Sequence, residues 1–576
     1  MKSTDDAWWP AASWSPDRPL GNCERETTTM QQNEATDADV VIVGGGVNGL
    51  TCGCYLAKAG LRTVILEKRH VVGGGATTEE VTLPGFKHNL CSIMHWLMPP
   101  QIMFDDLDLN SHGLNYTAWD GDGQFPRIGT PYADGTGLLL WGDRQRTIEE
   151  IALLSEADAR SYERLMGLIA GFRETFFRDQ MRPPRRPSEI FAELEETKSG
   201  REVMRYMLMT TSDVLDEWFE NDKVKGSLSA LTAIGTVKPT DAGGGVLAYG
   251  LLAALHDWDW YLGVGGSQTI STALRNCFEA HGGIVETETE VSRIGVENGR
   301  ATSVETTDGN AYGAAKAVVS TDPKKLFGSF LDADVVPAGV TEQMSRFRYG
   351  VRAMLVSYAL EEAPVYRGFE DRGVDVPWIL TGDTLKDVDE NFRDAQSGRL
   401  TVELSRGGFM VGCPTLVDPT QAPEGKHTVY LYWFVPADGT GVRWDEIKEA
   451  HADHAEDEWR KIAPNMTKDK ILARHVQSPN DIERRNGLHG PNGFNMAAFQ
   501  QGWLRPTPEM SDYRTPIESL YLTGPGTWPG GDVRLTPGHN TAKELLADLE
   551  AGSYGGGRGA WKTNGGVSAR VTAARS

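Results

Sequence analysis

The sequence predicts an α/β fold, and three observations carry the prediction. A short β-branched run at 40–43 passes into glycines and then into an apolar-periodic segment at 50–59. A second apolar run at 63–66 ends on an acid, Glu67. Helical patterning dominates 147–233, and strand-like runs return between 355 and 435. Alternating strands and helices indicate a parallel sheet, and a later strand-rich stretch indicates a second, mixed sheet. The helices between them are expected to form a cap.

Element by element, the chain opens with residues 1–37, where Trp8, Trp9 and Trp14 stand among Asp5, Asp6, Asp17, Glu24 and Glu26. No charged-then-apolar leader is present, so this segment reads as disordered. The run 40–43, the glycines 44–49, the helix closed by Gly60 and the strand 63–66 form one βαβ unit. A hairpin is expected around 134–137, Asp-Gly-Thr-Gly. A helix at 269–281 leads to an alternating strand at 284–291, with a strand pair turning at Asn298-Gly299. A buried-type strand follows at 317–320, and 428–433 reads as part of an antiparallel sheet. Last come a helix at 445–462, a strand at 519–523, a glycine-proline loop at 524–538 and a helix at 539–549. The expected division assigns 38–145, 263–330 and 516–552 to three parts of the first domain. It gives 146–262 to the helical cap and 331–515 to a substrate domain, leaving 553–576 as a flexible tail.

Composition narrows the function. The 576 residues carry 57 basic and 80 acidic side chains, a formal charge of −23, which repels phosphate backbones and excludes nucleic acid as a partner. Hydrophobic residues at 40% and charged ones at 24% fit a soluble globular chain, and no run of 18 apolar residues occurs. Six cysteines form no C-x-x-C pair, so a disulfide scaffold and a thiol zinc site are both unsupported. A reduced, cytoplasmic setting is expected. The 65 glycines exceed the usual ~7% and need an explanation.

Part of it is Gly44-x-Gly46-x-x-Gly49, set between a strand and a helix. These glycines let the backbone turn and approach a pyrophosphate at a helix amino terminus, where free N–H groups and the helix dipole favour negative charge. Glu67, about twenty residues on, stands where a carboxylate accepts hydrogen bonds from an adenosine ribose. That acid disfavours a 2′-phosphate, so NADP is not the expected dinucleotide. Gly243-Gly-Gly245 lacks a preceding strand and a trailing acid, and a separate NAD site is not expected there.

A second glycine loop, Gly73-Gly-Gly75 followed by Ala-Thr-Thr78, comes directly after Glu67. Near the carboxyl end stands Tyr521-Leu-Thr-Gly-Pro-Gly-Thr-Trp-Pro-Gly-Gly-Asp-Val-Arg-Leu-Thr-Pro-Gly-His-Asn540. Together these segments resemble the phytoene desaturase superfamily of FAD-dependent oxidoreductases, in the branch with the carotenoid ketolases and pyridine nucleotide-disulfide oxidoreductase domain-containing protein 2. Pro84-Gly-Phe-Lys-His88 with Cys91-Ser92, Ala133-Asp-Gly-Thr136, Gly265-Gly266 and Val318-Val-Ser-Thr-Asp-Pro323 support the resemblance, which runs from about 38 to 550.

The resemblance implies a Rossmann-like FAD-binding domain with a mixed-sheet substrate domain and a helical cap. It implies that Gly44, Gly46 and Gly49 cradle the FAD diphosphate and that Glu67, with Lys68 beside it, holds the adenosine ribose. Gly73, Gly74 and Thr78 would line the flavin arm, Val291 would meet the adenine, and Gly524 would lie near the ribityl chain. Gly531, Asp532 and Val533 would present N–H groups near the flavin's pyrimidine edge. The chain departs from the family at Trp528, where His is usual, and at Asp532, where Gly is common.

On the substrate side, the candidates are His88, His95, Trp96, His256, Trp258, Trp260, Tyr261, Arg346, Arg348, Tyr349 and Trp528. His451 and His454 share a helix without a third ligand, which reads as a solvated charged face and not a metal site. The basic turn 182–187 is the one patch suited to peripheral contact with an anionic membrane. The expected activity is flavin-dependent dehydrogenation of a small, largely apolar polyene or terpenoid-like substrate. Isomerisation, saturation or keto-group insertion on similar substrates stays open, as does a non-catalytic flavin-binding or chaperone-like role. Reoxidation would fall to oxygen, a quinone or another carrier.

Overall fold

The computed structural model describes residues 37–95, 102–169, 179–234, 237–347, 351–436, 441–487 and 504–552. The expectations for 1–36, 553–576, Trp96, Arg348 and Tyr349 lie outside the described residues.

Two sheets of seven strands carry the chain. The first runs Val291–Glu297, Arg300–Thr306, Ala311–Ser320, Asp37–Val43, Thr63–Leu66, Ile284–Glu286, and Leu520–Leu522 also pairs with Ala311–Ser320. Asp37–Val43 lies parallel between Thr63–Leu66 and the end of Ala311–Ser320, as the βαβ pattern predicts. Val40, Ile42 and Ile65 pack on one face against the helices Val47–Lys58, Gln268–Ala280 and Thr536–Glu550, while Val41, Val43 and Val64 pack on the other. Burial on both faces is why these strands read as continuous apolar runs.

One expected strand divides in two. The alternating run 284–291 is an edge strand, Ile284–Glu286, followed by the start of a hairpin at Val291. Between them Glu288 adopts φ 56°, and the N–H groups of Glu288 and Thr289 donate to the carbonyls of Arg69 and Glu67. Period-2 alternation there reflects a crossing between sheet edges, and the break falls where a left-handed residue ends the extended chain. The hairpin turn at Asn298-Gly299 is as expected, with φ 52° and 80°.

The second sheet runs Ile471–Gln477, Arg352–Leu360, His427–Val435, Gly407–Gly412, Trp378–Gly382, Ile128–Pro131, Gly137–Leu140. It is antiparallel except where Trp378–Gly382 meets Ile128–Pro131. The 134–137 hairpin therefore closes the far edge of this sheet. Along His427–Val435 the residues alternate: Tyr430, Tyr432 and Phe434 join the core shared with the cap helices, and Val429, Leu431 and Trp433 join the core under the helix Trp444–Ile462. That helix buries His451, whose Nε2 accepts a hydrogen bond from Trp433 Nε1 at 3.2 Å. The expected solvated face at His451 is corrected accordingly: the imidazole turns inward because the indole N–H beneath it needs an acceptor.

Cap helices include Arg144–Ala152, Glu156–Ile169, Asp222–Ala233 and Gly244–Asp257. Gly243-Gly-Gly245 opens the last of these, and a side chain at Gly245 would meet the Tyr206 carbonyl and Val214. These glycines serve helix packing. In the basic turn, Arg182 and Arg185 both pair with Asp179, and Arg185 reaches Glu193 at 2.5 Å.

The carboxyl-terminal helix is fastened by a buried ion cluster. Arg514 makes two 2.7 Å bonds to the carboxylate of Asp548 and reaches Glu544 at 2.7 Å and Asp512 at 3.0 Å. Tyr521 donates to the same Asp548 carboxylate at 2.8 Å. Removing one partner of such a pair leaves a charge buried without compensation. Arg514→Met is expected to cost about 3–5 kcal/mol, read as a lowered midpoint in urea unfolding; an unchanged midpoint would show that the cluster holds nothing.

Candidate functional site

The site starts at the amino terminus of the helix Val47–Lys58. Its N-cap is Gly46, no side chain caps it, and its first turn holds no acid, so its free N–H groups have no intrinsic anionic partner. A Cβ at Gly49 would collide with the Gly44 carbonyl oxygen, which is why the turn can close only with glycine there. At Gly46, by contrast, a Cβ would find only the Gly74 Cα, at 3.9 Å. That space opens into the cavity.

The second glycine loop is joined to the first. Gly73 N–H donates to Gly45 O at 2.8 Å, and Gly46 and Gly73 form an isolated parallel bridge. Glu67 ties both: its Oε2 accepts from Gly45 N–H at 2.8 Å and its Oε1 from Arg69 N–H at 2.9 Å. Burial raises the Glu67 carboxyl above its usual range, and the two backbone donors with Arg69 and Lys68 oppose that rise.

One cavity gathers these pieces. It is bordered by Gly44, Gly46, Gly49, Glu67, Gly73 and Gly74, and from the carboxyl-terminal loop by Gly524, Asp532 and Val533. Nine sequence candidates thus meet around one space. Its apolar and aromatic wall includes Ile93, Met94, Ile234, Trp378, Met410, Tyr430 and Tyr432. Asn48 Oδ1, Ser92 Oγ, Asn486 Nδ2 and Asp532 Oδ2 belong to residues on this border, are buried, and have no hydrogen-bond partner among the described residues. Orphaned polar atoms beside a glycine cradle fit a polar, elongated ligand such as a dinucleotide.

Other candidates stand elsewhere. Lys68 pairs with Glu290 at 3.9 Å, and Thr78 bonds Asn89 at 2.8 Å and receives the N–H of Gln268. Neither borders the cavity, nor does Gly531. Val291 is also off its border, two residues past Thr289, whose N–H meets the Glu67 carbonyl. His88 bonds Thr82 at 2.6 Å, and Arg346 pairs with Glu342 on the surface. In the cap, His256 is held by Tyr162 at 2.7 Å and by Gly142 O. Trp258 and Trp260 lie in the cap core, where Trp260 packs edge-on behind the cavity-lining Trp378 at 5.8 Å. Tyr261 stacks on Tyr116, and Trp528 donates to Asp179 O at 3.2 Å. His95 is buried beside the cavity loop, its Nδ1 2.5 Å from the Tyr116 hydroxyl, and burial lowers it to about 3. It is therefore neutral.

A Rossmann-type domain whose glycine turn opens on a cavity walled by a second sheet fits a flavoprotein oxidoreductase. Comparison with known proteins agrees. A family model described as an NAD(P)-binding Rossmann-like domain matches residues 42–107. Pyridine nucleotide-disulfide oxidoreductase domain-containing protein 2 of Rattus norvegicus is 30% identical, over 89% of this chain and 94% of its own. A limonene dehydrogenase chain of Castellaniella defragrans is 26% identical, over 90% and 96%. Among solved structures, an oxidoreductase from Methanosarcina mazei shares the fold at a TM-score of 0.58 with 15% identity, covering 88% of this chain and 99% of that one. The chain belongs to the family of pyridine nucleotide-disulfide oxidoreductase domain-containing protein 2, among the phytoene desaturase-like FAD-dependent oxidoreductases.

Two tests address the carboxyls. Glu67→Ala removes the acceptor that orders both glycine loops and is expected to lower FAD retention at least tenfold on gel filtration; full flavin content would refute the ribose assignment. Burial raises Asp532 from 3.8 to about 6, against the opposing charge of Arg534 and the Val533 N–H. A carboxyl raised on folding favours the folded state while protonated, so its contribution is complete below about pH 4 and lost as pH rises through 6. The loss is about 3 kcal/mol. Measured without added ligand, the stability of Asp532→Asn relative to wild type should therefore grow between pH 4 and 7; a constant difference would contradict the shift.

Proposed function

We propose that this enzyme dehydrogenates a largely apolar, terpenoid-like substrate. The observation that carries the reading is the character of the wall beyond the nucleotide cradle: Ile93, Met94, Ile234, Trp378, Met410, Tyr430 and Tyr432. The Tyr430 hydroxyl is already engaged, donating to Cys91 O at 2.6 Å, so the ring offers a face and not a polar handle. Trp378 is braced edge-on by Trp119 and Trp260, which fixes its orientation. Such a wall favours a substrate recognised by burial and shape. The limonene dehydrogenase chain, a full-length relative, supports the same substrate class.

In this reading Gly44, Gly46, Gly49 and the helix amino terminus hold the FAD diphosphate, Glu67 takes the adenosine ribose, and the loops at 73–75 and 524–533 border the flavin. FAD supplies a two-electron acceptor for hydride. The chain's own contribution is to orient the substrate against it and to exclude water. Contact with a membrane surface, if the substrate is drawn from one, would rest on Arg186, since Arg182 and Arg185 pair internally.

The test is anaerobic mixing of FAD-loaded protein with a library of monoterpenes, longer terpenoids and polyenes. Loss of the flavin's visible absorbance with formation of a product two hydrogens poorer is expected for at least one member. Turnover with no net loss of hydrogen would mean an isomerase. No response from any apolar member, with bleaching by polar amines or alcohols, would overturn the substrate class.

A further inference from the structure

Asp532 has a geometry that dinucleotide binding leaves unexplained. It holds φ 72°, a conformation that glycine adopts without strain and other residues adopt at a cost. Its Oδ1 accepts the N–H of Val533 at 2.8 Å, while its Oδ2 is buried without a partner among the described residues. The residue borders the cavity. Arg534, two positions on, is buried and senses its charge, yet its Nη1 donates to Gln180 at 3.2 Å and no hydrogen bond joins it to Asp532. The carboxyl is thus neutralised by no direct contact.

The groups around it can be named. Cys91 and Tyr116 both face its charge; burial pushes the Cys91 thiol up to about 11 and raises the Tyr116 hydroxyl further, with Asp532 adding to each. Tyr116 bonds His95, which burial keeps neutral. Arg534 faces Arg505, which burial and that neighbour lower to about 10, and Arg485 faces Cys91. Of these groups Asp532 is the carboxyl that burial brings toward neutral pH, to about 6.

Its place relative to the flavin follows from the cradle. With the diphosphate at Gly46 and the ribose at Glu67, the flavin half would have the rest of the same cavity, which Cys91, Tyr430 and Asp532 border, Tyr430 bonding the Cys91 carbonyl. We propose that Asp532 is a redox-linked proton acceptor at the flavin, its free Oδ2 taking one solvent proton as the flavin takes an electron pair. The proposal rests on the flavin assignment. In hydride transfer the new bond to hydrogen on the flavin would be the hydride's, while the separate solvent proton would form an O–H bond on the carboxylate, so that the negative charge the flavin gains is offset within the same cavity. The physical reason is mutual: a carboxylate disfavours added charge beside it, and added charge raises the carboxyl.

The experiment reduces FAD-loaded wild type, Asp532→Asn and Asp532→Gly with dithionite in the presence of reference dyes across pH 5–9. The slope of potential against pH counts protons per electron pair. Wild type is expected to take up to one proton more than either variant over an interval starting near pH 6, and to have the lower potential above that interval. Asp532→Gly keeps the loop conformation without strain, so it serves should Asp532→Asn fail to fold. Equal slopes and potentials in flavin-loaded proteins would overturn this proposal alone. Protein that stays colourless with added FAD would overturn the flavin assignment and the proposal with it.

Discussion

The structure depends on close approach at the amino terminus of the helix Val47–Lys58. Three segments must touch there: the first glycine turn, the loop after Glu67, and the distant helix Thr536–Glu550. Backbone groups take part in each contact. Gly73 N–H meets Gly45 O, Gly45 N–H meets the Glu67 carboxylate, and Gly538 sits so near Asn48 O that any side chain on it would overlap that carbonyl. Part of the glycine excess serves this junction. What remains exposed is the helix end itself, facing the cavity.

A consequence is that the glycine-turn side of the cavity was legible from sequence while the opposite wall was not. Gly44, Gly46, Gly49 and Glu67 are tied together within about twenty-five residues, so strand, turn, helix and acid could be read as one local unit. The wall is different. In His427–Val435 almost every residue is buried, on one face by the cap and on the other by Trp444–Ile462, so hydrophobic alternation gives no sign that Tyr430 and Tyr432 face the cavity. Trp378 has the same difficulty. Its role follows from tertiary placement against Trp119 and Trp260, which lie far away in the chain.

Aromatic clusters misdirect for a related reason. His256, Trp258 and Trp260 stand together in sequence and resemble a binding surface, yet they close the cap core and support the wall from behind. Burial of a large ring is satisfied equally by a core or by a pocket, and sequence composition does not separate the two. The break at Glu288 is likewise invisible to period-2 reading, because the run remains alternating while the backbone leaves the extended region.

The two carboxyls on the cavity border show how one functional group takes two tasks. Burial pushes both upward, so the difference between them lies in what opposes it. Glu67 accepts two backbone N–H bonds, one on each oxygen, with Arg69 and Lys68 nearby; it is held as an acceptor in a fixed orientation, suited to hydroxyl groups of a ribose. Asp532 accepts one backbone bond, leaves an oxygen bare, and has Arg534 near but not bonded. A carboxyl bonded on both oxygens resists protonation because the proton would displace a donor, whereas one with a bare buried oxygen has a place to receive it. Backbone amides thus distinguish the two acids, one held on both oxygens and the other with a bare buried oxygen, in a cavity whose far wall is largely apolar.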